Sequence, residues 1–144
     1  MAHAESEITI RRSPQDVYAF LADGLHNPQW RRGVQSVALT GGTPGALGAV
    51  YSQTLTGPGG RPIAGDYTIT ASDPGKCLGF QVIAGPARPT GEYQLTEAAT
   101  GTVVRFTLDL QPKGLMKLVE PVIKRTMRAE VDQLDNLKNI LETT

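Results

Sequence analysis

The sequence predicts an α+β fold: a curved antiparallel β-sheet wrapped around a long C-terminal helix, with two short helices between the first and second strands. Three observations carry this. Residues 113–142 hold the longest helical pattern in the chain. Leu115, Leu118, Val119, Val122, Ile123, Met127, Val131, Leu134, Leu137 and Leu141 recur there at three- and four-residue steps, which gathers them into one stripe on a helix. Before it runs a series of alternating segments joined by short Gly/Pro turns, the mark of antiparallel neighbours with one covered face. One strand and one capped helix precede that series.

The elements follow in order. Glu5 to Arg12 alternates, with Ile8 and Ile10 on one face. Ser13 is a natural N-cap, Pro14 suits the first helical position, and Asp16 suits the positive helix end. The helix they open has Val17, Phe20 and Leu21 as its buried face and stops near Ala22 or Asp23. Asn27 to Trp30 is a turn or second short helix carrying the only tryptophan. Strands are predicted over Val34–Thr40, Ala49–Thr56, Arg61–Ser72, Lys76–Ala84, Arg88–Glu97 and Thr102–Gln111, separated by turn sequences such as Gly57-Pro58-Gly59-Gly60 and Asp73-Pro74-Gly75. In the final helix Pro121 lacks an N–H and collides with the carbonyl of Lys117. It predicts a kink there, or a short first helix ending near Val119 and a main helix starting near Glu120. A stripe that long needs an apolar surface to lie on, and the sheet must supply it.

A chain of 144 residues with 14 basic and 14 acidic side chains is read as one domain, 1–144, with no net charge to attract nucleic acid. One cysteine, Cys77, excludes an internal disulfide framework and fits a reducing, cytoplasmic setting. The N-terminus does not read as a secretory signal, and no apolar run reaches the length of a membrane span. No CxxC, HExxH or helically spaced histidine pair marks a metal site, and the glycine runs lack phosphate-loop spacing, so no metal and no cofactor is expected. Arg31-Arg32 and the cluster Lys124, Arg125, Arg128 read as solvated surface.

The stretches SPQDVYAFLAD, NPQW, GTVVRFTLDLQPKGL and MRAEVDQLDNLKNILE, in that order, resemble the START-like (SRPBCC) superfamily, and within it the polyketide cyclase/dehydrase-like branch. The resemblance spans nearly the whole chain. It implies the helix-grip fold and a cavity between sheet and terminal helix that holds lipids, sterols, polyketides or other apolar molecules. Some members catalyse cyclisation or dehydration.

The candidate cavity-lining residues are Trp30, Tyr51, Gln53, Tyr67, Phe80, Tyr93, Phe106, Met116, Val119, Ile123 and Met127. Tyr67 and Tyr93 share a strand face with Ile69 and Leu95, so their phenols point inward. Either they line a cavity and donate hydrogen bonds to a ligand carbonyl, or they fill the core with their hydroxyls satisfied. Tyr51 and Gln53 share one face of their strand and Ser52 and Thr54 the other, and which face points inward stays open. Trp30 either closes a cavity mouth or anchors the short helix. No acid, base or nucleophile is clearly placed inside, so the catalytic residues are unknown. The leading expectation is a protein that binds a small, largely apolar molecule, as a monomer or homodimer, without membrane insertion. The alternatives are a cyclase or dehydratase using the same cavity, and an interaction module whose cavity is filled by large side chains.

Overall fold

The computed structural model describes residues 2–143. Its elements are β1 (Ala2–Ile10), α1 (Pro14–Ala22), a 3₁₀ turn (Gly24–His26), α2 (Asn27–Trp30), β2 (Val34–Gly41), β3 (Val50–Thr56), a 3₁₀ turn (Pro58–Gly60), β4 (Pro62–Ala64), β5 (Tyr67–Asp73), β6 (Cys77–Val82), β7 (Thr90–Ala98), β8 (Gly101–Leu110), a 3₁₀ strap (Gly114–Val119), α3 (Glu120–Val131) and α4 (Leu134–Glu142). One antiparallel sheet runs β1-β8-β7-β6-β5-β3-β2, with β4 paired to β3. The α+β fold and the two short helices after the first strand are as the sequence predicts.

The capping signals work as read. Ser13 Oγ accepts from the Asp16 N–H at 3.1 Å, and Pro14 opens α1. Register shifts between Ile69 and Ala71, and at two places along β2–β3, bend the sheet. Strand β1 starts earlier than expected, because Ala2 and Ala4 continue its buried face with side chains too small to announce it. The predicted strand 61–72 divides at Gly65-Asp66, where Gly65 N–H donates to Gln53 O at 2.7 Å and Asp66 Oδ1 accepts from Gln53 N–H at 3.1 Å. Phe20 is only half-buried. It stacks on the His26 ring, with centroids 4.3 Å apart, while Tyr18, two residues earlier, is buried and bonds Ser72 Oγ at 2.5 Å.

The C-terminal stripe divides into three pieces. Of the two outcomes offered for Pro121, the structure takes the short first helix followed by a main helix from Glu120. A second break, at Asp132-Gln133, separates α3 from α4. Met127, Val131, Leu134, Leu137 and Leu141 are buried against the sheet. Leu115, Leu118, Val119 and Val122, expected on the same buried stripe, stand in solvent. The 3₁₀ turns put Leu115 and Leu118 on one line, and the change of period between strap and α3 aims that line away from the face carrying Met127. No helix among the described residues is long and apolar enough to cross a membrane.

Candidate functional site

The concave face of the sheet carries a cluster of aromatic rings. Tyr93 stacks on Phe106 at 4.4 Å, Tyr51 stacks on Tyr67 at 5.2 Å, and Phe80 lies between the two pairs, 5.5 Å from Tyr67 and 6.0 Å from Tyr93. Two glycines make room for them. A Cβ on Gly91 would fall 2.1 Å from the Phe80 ring, and one on Gly24 would fall 2.1 Å from Tyr67 Oη. Only a bare backbone lets Phe80 lie flat on β7 and lets the turn after α1 close down on Tyr67.

Within this cluster is a small cavity of about 10 Å³, lined by Leu21, Asn27, Arg31, Tyr67, Ile69, Leu78, Phe80 and Tyr93. That is room for about one water. Its helical wall comes from α1 and α2, where the C-terminal helix was expected. Trp30 packs edge-on to Tyr93 and Phe106, and Met127, Val131 and Leu134 are buried in the same core.

Four polar side chains, Asn27, Arg31, Tyr67 and Tyr93, meet the apolar wall. Asn27 Nδ2 donates to Tyr67 Oη and to Gln53 Oε1, both at 2.9 Å, and Gln53 Nε2 donates to Gly65 O at 3.3 Å. Tyr51 is also spent locally, its hydroxyl accepting from Gly45 N–H at 3.1 Å. Arg31 is buried, 7 % exposed, and donates from Nε to Glu130 Oε2 at 3.1 Å. Glu130 also accepts from Gln133 Nε2 at 3.2 Å, Gln133 Oε1 accepts from Arg32 N–H at 2.6 Å, and Asn136 Nδ2 donates to Trp30 O at 3.1 Å. The break between α3 and α4 thus clamps the end of α2 and sets the aim of Arg31. Burial works to lower the affinity of the guanidinium for its proton, but the Glu130 carboxylate outweighs it and holds the group charged.

Neither Tyr93 Oη nor the terminal nitrogens of Arg31 hydrogen-bond to another described residue, and both side chains line the cavity. Burial raises the Tyr67 phenol to about 12, against the opposing pull of the Asn27 hydrogen bond and the Arg31 charge. Burial raises Tyr93 as well, opposed by Arg31. Both phenols are therefore protonated at neutral pH and act as donors rather than bases. Burial, then the neighbouring Glu92 carboxylate, lifts the Cys77 thiol to about 11, so it is no thiolate nucleophile.

Of the expected lining residues, Tyr67, Phe80 and Tyr93 reach this cavity. The open choice on β3 resolves with Tyr51 and Gln53 inward and Ser52 outward. Trp30, Tyr51, Gln53, Phe106 and Met127 are buried around the cavity without lining it. Met116 and Ile123 are part-buried, and Val119 is exposed. Asn27 and Arg31 were missed as site residues. Nothing in the string Trp30-Arg31-Arg32 distinguishes the buried arginine from the exposed one; the distinction comes from Glu130, far along the chain.

A family described as polyketide cyclase / dehydrase and lipid transport matches residues 1–142. No curated protein matches the sequence significantly. Among solved structures, a START superfamily protein from Mycobacterium smegmatis superposes with a TM-score of 0.80 at 11% identity, covering 99% of each chain. A protein of Thermus thermophilus gives 0.78 at 17% identity over 95% of this chain and 94% of its own. The di-domain ARO/CYC StfQ of the steffimycin biosynthetic pathway gives 0.77 at 18% identity, with 99% of this chain covering 51% of that one. At these identities the neighbours establish the fold, a sheet gripping a C-terminal helix. With the match over residues 1–142, the chain belongs to the polyketide cyclase / dehydrase and lipid transport family.

Proposed function

We propose that the whole chain is one cytoplasmic binding domain for a small, largely apolar molecule carrying a carbonyl oxygen. The observation that supports this reading is the meeting of the Arg31 guanidinium and the Tyr93 hydroxyl on an apolar-walled cavity. The Glu130 carboxylate balances the arginine's charge, so the remaining N–H groups suit a neutral acceptor better than a second anion. Leu21, Ile69, Leu78 and Phe80 supply the apolar wall. With space for about one water, the cavity must widen around its guest.

The same small volume favours a second reading, an interaction module with a closed interior. Native mass spectrometry of freshly purified protein, followed by calorimetric titration with aliphatic and aromatic ketones, separates the two. The binding reading expects a co-purifying small molecule or a saturable ketone isotherm. It also expects Tyr93→Phe to lose about 0.5–1.5 kcal/mol of affinity, the net worth of one neutral hydrogen bond. No co-purifying molecule and no isotherm for any ketone would leave the closed module.

A further inference from the structure

We infer that the strap and the start of α3 form a docking surface for an anionic lipid bilayer. Leu115 is 83 % exposed, Leu118 79 %, Val122 57 % and Val119 46 %: four large apolar side chains close together in sequence, all turned to solvent. Folded chains rarely leave such a contiguous apolar group uncovered without a partner for it. The register places a second contributor nearby. Gln81 pairs with Thr90 and Thr90 with Asp109, so the loop 83–89 leaves the sheet at the end from which the strap departs. Ile83 in that loop is 41 % exposed.

The charges around this apolar group choose the partner. Lys113, Lys117, Lys124 and Arg125 are exposed on the strap and α3, and Arg88 is exposed on the loop. The nearby acids are already engaged: Glu120 lies 3.4 Å from Lys124, and Asp109 bonds His3. The surface is thus apolar with a cationic rim. A second copy of this chain would bring cations against cations across a two-fold axis. A bilayer with anionic headgroups meets both features, since the leucines and valines enter the headgroup boundary while the lysines and arginines stay at the phosphates. The contact is peripheral, because the segment is too short to span.

Sedimentation with phosphatidylcholine vesicles, with and without phosphatidylglycerol, tests this. The wild-type protein should bind the anionic vesicles at least about tenfold more tightly than the neutral ones, at about fivefold per cation near the surface. The double change Leu115→Asp with Leu118→Asp should lower that binding at least about tenfold, while Leu47→Asp, at a similarly exposed leucine elsewhere, should not. Both sites are in solvent, so circular dichroism and melting should match wild type. Equal binding to both vesicle types, no binding to either, or anionic binding that survives the double change would overturn the inference. So would a wild-type dimer in analytical ultracentrifugation that the double change converts to monomer, since the second copy would then be the occupant.

Discussion

Tyr67 on β5 and Tyr93 on β7 face the same cavity with one strand between them, yet their hydroxyls do different work. Tyr67 Oη accepts from Asn27, whose other amide hydrogen goes to Gln53. Removing that hydroxyl leaves a buried donor unpaired, so Tyr67→Phe should cost about 1–3 kcal/mol of folding stability. Tyr93 gives up no described hydrogen bond on becoming phenylalanine, so Tyr93→Phe should stay within about 0.5 kcal/mol of wild type. Urea denaturation of both variants checks the contrast; equal losses would mean that Asn27 does not depend on Tyr67. The inward phase of both phenols was legible from the alternation of their strands. The difference between them was not, because it comes from Asn27, which reaches Tyr67 from a distant part of the chain.

The C-terminal stripe shows what periodicity can and cannot tell. Every residue in it has the right spacing, but Leu115, Leu118, Val119 and Val122 stay in solvent, Ile123 packs partly against the core, and full burial begins at Met127. Pro121 announces a kink or a break at this point from sequence alone, and the structure takes the break. The break at Asp132-Gln133 has no proline or glycine to announce it, and is held by the Glu130, Gln133 and Asn136 contacts to the end of α2. Leu134→Ala should therefore cost about 2–5 kcal/mol, as should Phe106→Ala on β8 opposite. Leu118→Ala, in the same apolar pattern, should change stability by no more than about 0.5 kcal/mol. Chemical denaturation that ranks Leu118 with Leu134 would mean the strap is packed.

Across the whole molecule, the end of α4 is tied back to the first strand and the link that follows it. Glu142 accepts from Lys138 Nζ at 2.7 Å and from the Arg11 N–H at 2.9 Å, while Lys138 also reaches Thr9 O at 2.7 Å. The Lys138 bond, then the Arg11 backbone bond, pull the Glu142 carboxyl from its ordinary 4.5 to about 2. Its folded value is depressed, so its contribution is complete above about 4.5 and is lost as pH falls toward 2. Denaturant midpoints measured across that window should fall more steeply for wild type than for Glu142→Gln; parallel profiles would mean that the carboxylate contributes nothing. Element order and sheet direction were legible at this scale because alternation and turn chemistry are local. The closing contacts were not, since they join opposite ends of the chain.

Trp30 is the chain's one tryptophan, 2 % exposed, with its rings edge-on to Tyr93 and Phe106 at 6.1 Å and its indole N–H without an acceptor among the described residues. The molecule therefore carries its own optical probe. A lone indole in a dry aromatic setting emits toward the blue and shifts red when water reaches it. Because it touches the wall that a guest would push on, its emission follows cavity filling and unfolding without any added label.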